Sequence, residues 1–254
     1  MNIDIAMLSE IGRRERNEDS CGYWRNGGPV CCVLSDGAGG HGGGDVASRL
    51  AVDHVLEGFS TAPGCEGRAV RELIAAANRK VIGEQSRADV LHDMRATVVV
   101  LAIDPDRTIA VWGHVGDSRL YCLRNGYVHA RTKDHSLVQS MIDAGLAEPA
   151  RMQGPDRSVL LASLGGDEGF EPDLLDPPLA LRPGDAFLLC TDGFWENVPE
   201  RSIEATLQRA ASPEHWLTLM HGLVRAADRP SQDNYSAIAV WCGAMDFSTR
   251  ARSD

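Results

Sequence analysis

The sequence predicts an α+β fold of two antiparallel β-sheets with helices packed on their outer faces. Three observations lead there. Short apolar runs of strand type recur along the chain, several of them joined by tight turns. Helical periodicities come in pairs between groups of these runs, and do not alternate with them one for one as a parallel βαβ fold requires. No repeat or low-complexity tract divides the 254 residues, so one domain over 1–254 is expected.

In chain order, strands are expected near 2–9, 20–25 and 30–35. A glycine-rich segment then leads into two long helical patterns. In the second, Val70, Leu73, Ile74, Ala77 and Val81 repeat at three and four residues and mark one helix face. Strands follow near 96–103, 108–115, 119–124 and 127–131, the last two joined through Arg124, Asn125 and Gly126. Asn and Gly tolerate positive φ, so this is a hairpin signal. A short helix is read over 136–146 from Leu137, Val138, Met141 and Ile142. The weakly patterned EPARMQGPDRS behind it makes 134–165 the expected flap. LDPPLALRPGD at 175–185 reads as a proline-stiffened connector. A strand near 186–191, helices over about 200–211 and 213–227, and a strand near 235–242 complete the order. Leu217, Met220, Leu223, Val224 and Ala227 form the buried stripe of the last helix.

Composition narrows the function. With 43% hydrophobic residues there is ample material for a core. A net charge of −11 disfavours nucleic-acid binding, which needs a basic surface. The start, MNIDIAMLSE, carries an acid at position 4 and does not read as a signal peptide. The longest purely apolar run, 98–103, is too short to cross a membrane. Seven cysteines without a CxxC indicate neither a zinc site nor a disulfide framework. Cys31, Cys32, Cys122, Cys190 and Cys242 sit in or beside strand-like runs as small hydrophobes. A reduced, cytoplasmic protein is expected.

The chemistry is carried by aspartates. Asp36 in VCCVLSDG, Asp117 in VWGHVGDSR and Asp192 in FLLCTDG end apolar runs, and Asp233 in QDNYSAIAVW stands just before one. Aspartate is a poor strand residue, and its charge is costly to bury without a partner. An Asp-Gly pair taken alone is a common turn former. Four such residues at strand mouths suggest carboxylates gathered onto one site. Oxygen-only donors suit the hard cations Mg²⁺ or Mn²⁺.

The order GRRERNED, SDGAGGHGG, GDSR, KDHS, CTDG, QDNYS over residues 8–242 resembles the PPM-type, protein phosphatase 2C-like, metal-dependent Ser/Thr phosphatases. FLLCTDGFWENV looks most like the stand-alone bacterial members associated with type VI secretion clusters. The resemblance implies a four-layer αββα sandwich with two Mn²⁺ or Mg²⁺ ions between the sheets. It gives Asp36 the bridge between the ions, the Gly37 carbonyl a place on one of them, and Asp192 and Asp233 the shell of the other. Glu18 would hold a metal-bound water, with Asp19 and Asn234 supporting the ligands. Arg14 would bind the phosphate, and Asp117 with Asp192 would hold a third ion. His41 matches a histidine common in bacterial members and is a candidate general acid. MRATVVV, where many relatives have a glycine before the threonine, and LLASLGG, without a common arginine, depart from the pattern on the substrate side.

This choice of groups also follows from the reaction. A phosphate monoester dianion repels hydroxide. Paired cations neutralise that charge and acidify a water that bridges them, giving an in-line nucleophile without a covalent intermediate. Arginine's planar fork grips two phosphate oxygens. Hydrolysis of phosphoserine and phosphothreonine in proteins is therefore expected, opposing a Ser/Thr kinase. By resemblance, that kinase and a forkhead-associated-domain protein are the expected partners. The alternatives are a phosphoprotein-binding pseudophosphatase and a nucleotide-dependent oxidoreductase. The latter would rest on GAGGHG at 37–42, but no acid ends a second strand at the required distance. CEGRAVR at 65–71 mimics a cysteine-phosphatase loop but carries Glu66 where an anion would bind.

Overall fold

The computed structural model describes residues 1–38, 43–87, 89–148, 159–166 and 171–245. Its strands are β1 (Ile3–Glu10), β2 (Asp19–Arg25), β3 (Val30–Ala38), β4 (Arg95–Ala96), β5 (Val98–Asp104), β6 (Ile109–Val115), β7 (Arg119–Arg124), β8 (Tyr127–Arg131), β9 (Asp173–Leu174), β10 (Leu179–Ala180), β11 (Asp185–Cys190) and β12 (Tyr235–Cys242). Its α-helices are α1 (Gly44–Thr61), α2 (Gly67–Gln85), α3 (Leu137–Asp143), α4 (Asp192–Trp195), α5 (Glu200–Leu207) and α6 (Pro213–Ala227).

The strands form two sheets, one in the order β1-β12-β11-β7-β8 and the other β10-β6-β5-β3-β2. β4 extends the end of β3, and β9 pairs with β6. Neighbours run antiparallel throughout. Asn125 and Gly126 take φ of 58° and 82° and close the β7–β8 hairpin that the sequence signals.

Three hydrophobic layers separate four layers of structure. Val55, Phe59, Val70 and Ile74 of α1 and α2 pack on Val33, Val100 and Val111 of the second sheet. Leu34, Val99 and Leu101 meet Phe187, Leu189 and Ile238 between the sheets. Ile203, Trp216 and Met220 of α5 and α6 cover Leu188, Ala237 and Ala239 of the first sheet. Successive side chains of β5 therefore enter different layers, yet all are buried: Val98 and Val100 face the helices, and Val99 and Leu101 face the other sheet. A strand buried on both faces reads as a continuous apolar run, which is why 96–103 shows no alternation. Burial of each large side chain contributes about 1.5–3 kcal/mol.

The shortest elements depart from the sequence reading. β4, β9 and β10 have two residues each, and β10 falls within the 175–185 connector. α3 ends at Asp143 and α5 at Leu207, short of the expected 146 and 211. The expected flap is described only at its flanks, where Ser136 bridges to Leu160 and Ala96 to Leu164. Residues 149–158 lie outside the described residues. All seven cysteines are free. Among the described residues no helix is long and apolar enough to cross a membrane.

Candidate metal and phosphate site

The antiparallel register brings the acids to one edge of the sandwich. β3 and β6 both run antiparallel to β5, so their C-terminal ends, with Asp36 and Asp117, lie on the same side. Asp19 starts β2 directly opposite Asp36. Asp192 follows β11 and Asp233 precedes β12, two strands that pair antiparallel. Glu18, Asp36, Asp117, Asp192 and Asp233 line one cavity of about 700 Å³, together with Arg14, Gly37 and Asn234. The structure thus assembles the sequence-predicted residues except Asp19, which lies buried behind the cavity wall, and His41, which is outside the described residues.

The two Asp-Gly pairs are not turns. Asp36 and Gly37 continue β3, and Asp192 and Gly193 open α4. Neither glycine has positive φ. They supply room: a Cβ on Gly37 would collide with the Gly44 carbonyl, and one on Gly193 with the Asn234 carbonyl. Each glycine lets a distant backbone segment approach the aspartate beside it.

Two threonines that the sequence reading did not single out help hold the acids in place. Thr97 Oγ1 accepts from the Asp36 N–H at 3.0 Å and bonds Ser118 Oγ at 2.7 Å, linking the Asp36 strand to the Asp117 turn. Thr191 Oγ1 donates to Asp19 Oδ2 at 3.1 Å and accepts from the Ser236 N–H at 3.0 Å. Their only sequence signal is a hydroxyl at the mouth of an apolar run. Asn234 organises the β1–β2 turn: its Oδ1 accepts from the Glu18 N–H at 2.9 Å, and its Nδ2 donates to the carbonyls of Ile11 and Arg16 at 2.8 and 2.9 Å.

That turn aims its arginines differently. Arg13 points to Asp228 at 2.7 Å, whereas Arg14 donates to Asp233 Oδ2 at 2.6 Å. Arg119, which could have anchored Asp117, instead forks onto Asp134 at 2.8 and 2.7 Å, and its guanidinium lies 3.5 Å over the Trp195 ring. Asp117 is buried, and its backbone carbonyl accepts from Trp195 Nε1 at 3.0 Å.

The electrostatics call for cations. Burial pushes Asp36 well above the carboxylate range, and Asp19, Asp192, Asp117 and Asp233 add to the shift. Asp117 is raised by burial and then by Asp192 and Asp134. Asp19 rises to about 7, mainly through burial, although hydrogen bonds from Ser236 and Thr191 oppose this. Burial and nearby Asp45 raise Glu18. Asp19 Oδ1 is buried without a hydrogen-bond partner. Facing carboxylates on paired strands are destabilising unless positive charge intervenes. The donor set is all oxygen, so it fits Mg²⁺ or Mn²⁺.

His114, His135 and Asp173 form a second group with donor atoms close together. The two rings stack at 4.6 Å with planes 26° apart, so they do not aim lone pairs at one ion. His114 Nε2 contacts the Lys133 carbonyl at 2.7 Å, and His135 bridges the Gly116 N–H and Asp173. This cluster is a hydrogen-bonded brace.

Comparison with known proteins agrees with this geometry. The family model described as protein phosphatase 2C matches residues 8–232. Protein phosphatase PhpP of Streptococcus pneumoniae is 31% identical over 199 residues, covering 76% of this chain and 79% of that one. The catalytic domain of the serine/threonine protein phosphatase PstP, solved with two manganese ions, superposes with a TM-score of 0.82 at 25% identity, over 95% of this chain and 99% of that one. PppA of Pseudomonas aeruginosa, described as a key regulatory component of its type VI secretion system, gives 0.76 at 27% identity, over 95% and 98%. The αββα architecture, the oxygen-lined cavity and these matches together place the chain in the protein phosphatase 2C family.

Proposed function

We infer that this chain is a Mn²⁺- or Mg²⁺-dependent protein-serine/threonine phosphatase acting on phosphorylated proteins. The observation that carries the reading is the convergence of Glu18, Asp36, Asp117, Asp192 and Asp233, from distant parts of the chain, on one cavity with Arg14 at its rim. In this assignment Asp36, the Gly37 carbonyl, Asp192 and Asp233 would hold the paired ions, Glu18 would hold a metal-bound water, and Asp117 with Asp192 would hold a third ion. When bound, the cations neutralise the phosphate and acidify water for in-line attack.

The chain's own residues position and select. Arg14 takes the substrate phosphate through its planar fork, and its contact with Asp233 of the cavity supports choosing it over Arg13, which pairs with Asp228. Asn234 fixes the turn that carries Arg14 and Glu18, while Asp19 and Thr191 brace the strands behind. His41 is retained as a candidate general acid. Every cysteine with a resolved shift is pushed up by burial, which suits the absence of a thiolate step.

The finer assignments belong to the same reading. One phosphatase domain over residues 1–254, with a flap subdomain at about 134–165, is the proposed organisation. The free thiols suit a cytoplasmic location. By the family resemblance, a Ser/Thr kinase and a forkhead-associated-domain protein are the proposed partners. The test is hydrolysis of p-nitrophenyl phosphate and a phosphothreonine peptide with and without EDTA. Activity should vanish in chelator, return with Mn²⁺ and survive thiol alkylation. Full turnover in EDTA overturns the reading, and phosphopeptide binding without metal-dependent turnover establishes the pseudophosphatase instead.

A further inference from the structure

Four arginines surround the acidic cavity: Arg13, Arg14, Arg16 and Arg95. Arg13 and Arg14 are engaged by Asp228 and Asp233. Among the described residues, Arg16 and Arg95 form no salt bridge, and only Arg16 acts on a nearby acid, Glu18. Arg16 is exposed on the β1–β2 turn, where water solvates it. Arg95 is different. It is half-buried, and its backbone on β4 lies opposite Ala38, two residues beyond Asp36.

The wall that carries Arg95 is tied to helix α2 by hydrogen bonds. Its Nη1 donates to the Met94 carbonyl at 3.1 Å, and that carbonyl also accepts from Gln85 Nε2 at 3.0 Å. Gln85 reaches the Gly165 carbonyl at 2.8 Å, and Asn78 Oδ1 accepts from the Gly165 N–H at 2.8 Å. Helix α2 thereby fixes both strips of backbone beside the arginine. Among the described residues this half-buried guanidinium is answered by a neutral carbonyl alone, which compensates it incompletely and leaves most of its five donors for a ligand. The overall charge of −11 works against anionic substrates at long range, so selectivity for them must come from a short-range fork of this kind.

We propose that Arg95 forms an anion subsite beside the metal site and binds a second negative group of the substrate, a carboxylate or phosphate on a residue flanking the phosphorylated one. This rests on the phosphatase reading above and narrows its substrates to acidic or multiply phosphorylated segments. Arg14 serves the phosphate that is hydrolysed; Arg95 serves its neighbour.

The test is kcat/KM in Mn²⁺ for three phosphothreonine peptides that differ only in their flanks: uncharged, glutamate-bearing, or bearing a non-hydrolysable phosphonate analogue. Wild type should prefer at least one anionic flank by on the order of tenfold. Preference for glutamate identifies the group as a carboxylate, and preference for the phosphonate alone identifies it as a second phosphate. Arg95→Ala should bring the ratio to about one, and Arg95→Lys should keep part of it. Arg95→Gln replaces the alanine variant if that one does not fold. A wild-type ratio near one, or a ratio unchanged by the variants, overturns the subsite. So does an equal loss on all three peptides with a lowered Tm, which marks Arg95 as structural. Mn²⁺-dependent hydrolysis of the uncharged peptide keeps the phosphatase reading standing in each of those cases; no metal-dependent turnover of any peptide overturns both.

Discussion

The carboxylates of this site are arranged for charge they do not themselves supply. Asp36 and Asp117 are both raised far above the ordinary range by burial and by neighbouring acids. Removing one such charge should relieve the metal-free protein even as it destroys the site. Asp36→Asn and Asp117→Asn are therefore expected to raise Tm in EDTA by about 2–4 °C for each kcal/mol of relief, with turnover lost. A lowered Tm in chelator for both would show that these side chains hold the fold. Asp192→Asn and Asp233→Asn should cost orders of magnitude in kcat, whereas Arg14→Ala should act strongly on KM. Damage from Arg13→Ala with a silent Arg14→Ala would mean that the turn presents the other arginine to phosphate. The glycines make a separate prediction. Because a Cβ at Gly37 or Gly193 meets backbone and not a flexible side chain, Gly37→Ala and Gly193→Ala should each cost roughly 2–4 kcal/mol in urea melts.

Among the elements, the apolar strands were legible because four layers bury both faces of each sheet, so β5, β11 and β12 are apolar at nearly every position. The site acids were legible for the complementary reason: charges at the mouths of such runs need an explanation. The two-residue strands were not. β4, β9 and β10 exist through their pairing with β3 and β6, and two residues carry no period. Long-range partners were equally hidden. GDSR invites a pairing of Asp117 with Arg119, but the β7–β8 hairpin returns Asp134 to the arginine, fifteen residues on. That pair is almost fully buried, at 7% and 1% side-chain exposure. Removing one partner leaves an unpaired buried charge, so Asp134→Ala should destabilise by about 3–5 kcal/mol in a denaturant melt. Since Arg119 also lies over Trp195, whose indole holds the Asp117 carbonyl, kcat per folded molecule should fall as well. An Asp134→Ala protein as stable and active as wild type would remove this brace from the account.

At the scale of the whole molecule, stability and metal binding are coupled through protons. Asp19 has a folded pKa of about 7, against about 4 for an unfolded aspartate. Asp36 is raised in the same direction. Between those values these acids hold more protons in the folded metal-free chain than in the unfolded one, so their contribution to stability is full at low pH and is lost as pH rises through about 7. Cations reverse the dependence. They bind ionised carboxylates, compete with protons for them, and add about 2.7 kcal/mol at a hundredfold excess over Kd, or roughly 5–10 °C in Tm for a chain of this length. Melting the protein from pH 5 to pH 8 in EDTA and in saturating Mn²⁺ should therefore give diverging curves: Tm falling with pH in chelator, and a Mn²⁺ increment that grows over the same interval. The Asp36→Asn protein should flatten both trends, because it removes the charge on which protons and cations compete. If Tm in EDTA instead climbs steadily to pH 8 and Mn²⁺ adds a constant increment, the buried acids are not the groups that couple this fold to its metal.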